Sequence, residues 1–103
     1  MKNFYKKLKH IKLANLKQRK NELWDAEGVL HNQLLKFDLR PLKNNLKIGS
    51  FKTKADKIVY DIKDQYIIVD VEELHNYLKE NSLKVVKIED LISNLDWNII
   101  LSK

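Results

Sequence analysis

Apolar residues in the second half of the chain follow two periods in succession. Residues 58–62 and 66–71 are β-branched and aromatic runs separated by Lys63-Asp64-Gln65, which predicts two strands joined as a hairpin. Ile67, Ile68 and Val69 are consecutive and cannot share one face, so the second strand is expected inside a sheet covered on both sides. The period then lengthens. Val71, Leu74, Tyr77 and Leu78 fall on one helical stripe, and Asp70 stands three residues before Glu73, the spacing of an N-cap and its reciprocal acid. Val86-Lys87-Ile88-Glu89-Asp90-Leu91-Ile92-Ser93-Asn94-Leu95 repeats the pattern of residues 69–78 at a shift of 17, with identities at Val, Glu, Leu and Leu. Two strand-to-helix units are predicted, the second with a short strand at 84–88, followed by a last strand at 97–101.

The first part of the chain has a helical pattern instead. Phe4, Leu8 and Ile11 share one helical face, and Leu16, Leu23, Leu30 and Phe37 recur every seven residues with Leu13 and Leu34 beside them. This predicts one long amphipathic helix, or two with Gly28 ending the first near Glu27. Lys20 and Glu27 interrupt the seam, which favours packing on the domain, or against a second copy, over a sustained coiled coil. Asp38-Leu39-Arg40-Pro41 should stop a helix, because the residue before proline is pushed out of helical geometry. Residues 38–57, with Asn44-Asn45 and Gly49-Ser50, read as a connection.

The expected architecture is an α+β domain of order α-α-β-β-α-β-α-β. Residues 1–37 form a basic helical segment, 38–57 a connection, and 58–103 a small mixed, mostly antiparallel sheet with its helices. A winged helix-turn-helix, with one helix from Ser82 to Leu95, is the competing outline. Glu89 and Asp90 on the would-be recognition helix, together with Val85, Val86 and Ile88, argue against it.

Composition sharpens this. A chain of 103 residues suits one core, and 2 glycines and 1 proline are too few for a turn-rich sandwich or barrel. With 0 cysteines there is no disulfide framework or thiolate metal site, which fits a reducing, cytoplasmic setting. The charged start and the lack of any 18-residue apolar run point to neither a signal peptide nor a membrane span. The net charge of +6 is divided: residues 1–57 hold 15 Lys and Arg against 5 acids, and residues 58–103 hold 5 against 9. Such a division offers a basic arm to an acidic partner, or lets the two halves attract each other.

The sharpest local bias lies in residues 2–20, with seven lysines, one arginine, one histidine and no acid. Lys2, Lys6, Lys7, Lys9, Lys12, Lys17, Arg19 and Lys20 are therefore the candidate contacts to nucleic acid or a nucleoprotein complex, with Phe4, Tyr5 and His10 among them as stacking groups. Eighteen lysines against two arginines favour electrostatic contact of low sequence selectivity. The alternative is an adaptor or inhibitor that binds a specific protein surface through the acidic half and an exposed aromatic, as a monomer or homodimer. A solvated helix face, or a helix lying on an anionic membrane, competes for the same lysines. The apolar side is interrupted, which disfavours the membrane.

No cofactor, metal or catalytic set is expected. His10, His31 and His75 are scattered, with only Glu27 and His31 at i, i+4, and no nucleophile motif occurs. Asp61-Ile62-Lys63 resembles the acidic-x-Lys element of metal-dependent nucleases of the PD-(D/E)xK type. That resemblance would imply a carboxylate holding Mg²⁺ and a lysine assisting water. It covers three residues, and no Pro-Asp precedes it. Trp24 and Trp97 are expected to pack in the core or on the sheet. The Lys, Asn and Ile bias suits a phage or mobile-element product, and a small non-enzymatic binding protein is the expected class.

Overall fold

The computed structural model describes residues 2–42, 47–48 and 52–103. In chain order the elements are α1 (Lys2–Tyr5), β1 (Lys9–Leu13), α2 (Leu16–Asn21), β2 (Ala26–Leu30), β3 (Gln33–Pro41), β4 (Lys47–Ile48), β5 (Lys57–Asp61), β6 (Gln65–Asp70), α3 (Val71–Glu80), β7 (Val86–Lys87), α4 (Ile88–Asn94) and β8 (Asn98–Ser102). This is a small α+β domain. Six strands form one mixed sheet in the order β1-β2-β3-β5-β6-β8, and β4 pairs with β7 apart from it. Every pairing in the large sheet is antiparallel except β3 with β5. The turn signals Asn44-Asn45 and Gly49-Ser50 lie outside the described residues.

β6 is the interior strand that its sequence demands. It lies between β5 and β8, and Tyr66, Ile67, Ile68 and Val69 are each no more than 2% exposed. Ile67 and Val69 face α3 and α4, packing with Ile58, Tyr60, Leu74, Ile88 and Leu91. Tyr66 and Ile68 face the other way, with Phe4, Leu8, Leu30, Phe37 and Val59. Burial of this kind stabilises by about 1.5–3 kcal/mol per large side chain.

The duplicated pattern is realised residue for residue at the helix starts. Val71 and Ile88 occupy matching first positions of α3 and α4, and both are buried, as are Leu74 and Leu91. Asp70 caps α3 by accepting the Glu73 backbone N–H at 2.9 Å, whereas Lys87 makes no side-chain cap for α4. Glu73 does not reach back to complete a capping box; its carboxylate accepts the Trp97 N–H at 3.1 Å and ties α3 to the start of β8. α3 ends in a Schellman motif. Ser82, at a φ of 52°, donates to the Lys79 carbonyl, and Leu83 donates to that of Leu78.

The long basic helix expected over residues 1–37 does not form, and the order begins α-β-α-β-β instead of α-α. α1 has 4 residues and α2 has 6. Ala26, Gly28 and Leu30 are buried while Glu27 and Val29 between them are half-buried, a period of two rather than 3.6. His31 and Asn32 link β2 to β3 as a two-residue hairpin loop in which both have positive φ, 49° and 66°. Paired left-handed residues match the twist of a hairpin. The seven-residue recurrence is therefore divided between unrelated elements. Leu30 and Phe37 are buried on adjacent strands, whereas Leu16 is 82% and Leu23 41% exposed. Arg40-Pro41 ends β3 rather than a helix, since the extended conformation forced on a pre-proline residue suits a strand.

What crosses the second face of the sheet is not a helical seam but the short α1. The Phe4 ring meets Phe37 and Tyr66 edge-on, at centroid distances of 5.4 and 5.3 Å. The chain then turns into β1, which carries a bulge: Lys9 pairs with Val29 and Lys12 with Glu27, leaving His10 and Ile11 opposite Gly28. His10 has a φ of 54°, the left-handed conformation of the first bulge residue. Gly28 is required where β1 presses down, because a Cβ there would stand 3.0 Å from Leu8 Cβ and Cδ1.

Phe4→Ala is expected to lower the unfolding free energy by about 3–5 kcal/mol, and Leu16→Ala by no more than about 0.5 kcal/mol. Urea denaturation of the two variants measures both. Equal losses would restore a helical seam through Leu16.

Candidate functional site

The eight basic candidates do not lie on one helix. Lys2 opens α1. Lys6 and Lys7 stand in the turn after α1, Lys9 and Lys12 on β1, and Lys17, Arg19 and Lys20 on α2. The side chains of the seven from Lys6 onward are exposed. Backbone geometry explains the path. α2 starts with a complete capping box, Asn15 accepting the Gln18 N–H at 2.8 Å and Gln18 accepting the Asn15 N–H at 3.0 Å. The Ala14 N–H donates to the Asp25 carbonyl at 2.9 Å, and Ala14, Trp24 and Ala55 pack beneath. The cations thus follow the outer edge of the sheet, from the turn before β1 to the helix after it.

Their charge is not spent inside the fold. Among the described residues the ion pairs are Arg40 with Asp38, Lys57 with Asp70, and Lys103 with Asp61. Of these three, only Lys57–Asp70 joins the basic first part of the sequence to the acidic second part. Burial holds the Tyr5 phenol above its ordinary value, with the Asp25 carboxylate adding to the rise and the Arg19 guanidinium opposing it.

Lys7 and Lys9 are brought together with His31 and Asn32 of the β2–β3 turn around a cavity of about 370 Å³. Its remaining wall is Val29, Leu30 and Leu101. The sheet curls enough for Leu101, on the last strand of the order, to share this cavity with β2. Lys12, Lys17, Arg19 and Lys20 lie outside it. Sequence reasoning missed His31 and Asn32 because a His-Asn hairpin turn lacks the usual glycine. The signal was present in the alternation on either side.

A second cleft lies where α3 leaves β6, lined by Asp56, Lys57, Asp70, Glu72, His75 and Asn76 among others. Asp56 and Asp70 there have structural duties. Asp56 accepts the Lys36 N–H at 2.8 Å, and Asp70 accepts from Lys57 Nζ at 2.6 Å as well as capping α3. Lys57 is itself buried and stands 3.8 Å from the centroid of the Trp97 ring. Trp24 is buried too, donating to Glu22 at 3.1 Å. Of the nuclease-like triplet, Asp61 pairs with Lys103 while Lys63 is exposed in the β5–β6 turn. His10, His31 and His75 do not converge, and no group of three metal-ligating side chains occurs among the described residues. No helix there is long and apolar enough to cross a membrane.

No family model, curated protein or solved structure matches the chain. The surface must be read from its own chemistry.

Burial raises the Asp70 carboxyl, but the Lys57 hydrogen bond, the Glu73 N–H and the Lys57 charge outweigh it and hold the group below its ordinary value of 3.8. Its contribution to stability is therefore fully present above that value and is lost as pH falls through the lower, folded one. Asp70→Asn is expected to cost about 1.5–3 kcal/mol at pH 7. The gap to the unmodified protein should narrow at acid pH, and urea unfolding on either side of the ordinary value checks this. A gap independent of pH would remove the charge from the account.

Proposed function

We propose that the protein is a small non-enzymatic binding protein that engages nucleic acid, or a nucleoprotein complex, along the β1 edge and α2. The observation that carries this is the exposure of Lys6, Lys7, Lys9, Lys12, Lys17, Arg19 and Lys20 on one continuous stretch, with no ion pair to any described carboxylate. A five-residue strand spans about 16 Å, so β1 alone can meet more than one phosphate. Because all but one of these seven cations are lysines, the contact is a field of point charges and not a set of planar forks. Affinity then comes chiefly from counterion release and depends little on base sequence.

A protein partner is the second reading. Ile11, Leu13 and Leu16 are exposed among the same cations, and an adaptor or inhibitor docking on an acidic protein surface would use both. The exposed aromatic expected for that role does not occur among the described residues, since the exposed large apolar side chains there are Ile, Leu and Val.

Affinity for an oligonucleotide should fall steeply with salt, with a log–log slope of about −0.7 to −0.9 per phosphate contacted. Changing Lys6, Lys7, Lys9 and Lys12 together to Gln should flatten that slope and leave the circular dichroism spectrum and unfolding midpoint unchanged. Titrations between 50 and 200 mM salt read both arms. No binding at the low-salt end, or an unchanged slope in the fourfold variant, would transfer the surface to a protein partner.

A further inference from the structure

We propose that the outer edge of β8 is a pairing surface for a second copy of this chain, joining two molecules through an antiparallel ladder of β8 on β8. The two edges of the large sheet are unlike. β1 carries Lys9 and Lys12, a bulge and the left-handed His10. β8 has none of these: Asn98-Ile99-Ile100-Leu101-Ser102 contains no charge and no proline, and its register with β6 runs through without a shift. Among the described strands it pairs with β6 alone. Lys103, the charge that follows it, reaches back across the Tyr66 ring of β6 to Asp61 on β5, away from the free edge. A regular, uncharged, apolar edge is a template for another strand.

The phase of the ladder shows which groups are free. The Lys103 N–H donates to the Asp64 carbonyl at 3.1 Å, and Trp97, in the same phase, donates its N–H to Glu73 Oε1 at 3.1 Å. Ile99 and Leu101 share that phase and turn their backbone groups toward β6, so Asn98, Ile100 and Ser102 direct theirs out of the sheet. These residues are spaced evenly about Ile100. A two-fold axis perpendicular to the sheet, centred at Ile100, sets Ile100 against its own copy and Asn98 against Ser102. Every outward N–H and C=O of both strands then has a partner, whereas a shift of two residues either way takes Asn98 or Ser102 out of the pairing. The side chains agree with this register. Ile100 lies on the side of Ile67, its neighbour in β6, is 42% exposed, and would be covered by its copy. On the other side Ile99 would meet Leu101, both half-buried in the single chain. The Asn98 amide is already committed to the Leu95 and Ile92 carbonyls at 3.0 and 3.3 Å, so its backbone is what it has to offer. Self-pairing brings like residues together, which a lysine on the strand would forbid and an uncharged strand permits. The pairing is independent of the nucleic-acid reading, whose cations lie on β1, on α2 and in the turn before β1.

Sedimentation equilibrium at high salt, where repulsion between two copies of net charge +6 is screened, tests the pairing. The weight-average mass should rise from one chain toward two as protein concentration is raised about a hundredfold. Ile100→Lys, which places two ammonium groups opposite each other on the axis, should hold the mass at one chain over the same range while leaving the unfolding midpoint of dilute protein unchanged. Amide hydrogen exchange in the unmodified protein gives a readout that does not depend on the variant folding. At low concentration Ile99 and Leu101 should be protected and Asn98, Ile100 and Ser102 should exchange freely; at high concentration the latter should gain protection as the mass rises. A mass of one chain throughout would overturn the pairing and leave the edge to a strand of another protein. A dimer in which the Asn98, Ile100 and Ser102 amides still exchange freely would overturn the assignment to β8.

Discussion

The architecture depends on four consecutive buried residues of β6. Tyr66, Ile67, Ile68 and Val69 alternate between faces, so neither face of the sheet can be left to water. α3 and α4, both downstream of β6, cover one face. The other has no helix of comparable length, and Phe4 fills it by meeting Phe37 and Tyr66 together. The very short α1 is thus held by tertiary packing and not by its own hydrogen bonds, as a single turn must be.

That use of Phe4 and Leu8 determines where the lysines go. Once both side chains are buried, the residues between and after them are drawn along the sheet margin, and β1 becomes its edge. Lysines and a bulge on an edge strand also discourage pairing with another chain. Edge protection explains Lys9, Lys12 and the left-handed His10. It does not explain Lys6 and Lys7 in the preceding turn, or Lys17, Arg19 and Lys20 on α2, which are off the ladder. That excess over what an edge needs is what the proposed acidic partner would meet.

The sequence was legible where one period dominated and where local chemistry agreed with it. The β5–β6 hairpin, the buried β6, the Asp70 cap and the repeated helix starts at Val71 and Ile88 all have local causes. Residues 1–37 were not legible in this way, because leucines spaced by seven arise as readily from two short strands and a turn as from a helix. Gly28 was decisive and ambiguous: it reads as a helix terminator, yet its role is the close approach of Leu8. The Lys57–Asp70–Trp97 contact joins residues far apart in the chain, and no spacing rule could have found it. Likewise the cavity needs Leu101 to come round to the β2–β3 turn, a matter of sheet curl that a linear pattern does not contain.

Charge has separate tasks in the two parts of the molecule. The Lys57–Asp70 pair is largely shielded, with side-chain exposures of 10% and 28%, and has a ring against the lysine; screening by salt acts weakly on it. The cations of β1 and α2 are exposed and face no described carboxylate in an ion pair, so salt acts on them fully. Ionic strength can therefore change what the surface holds without loosening the fold that presents it. A lysine field of this kind would read the charge of a polyanion and little else.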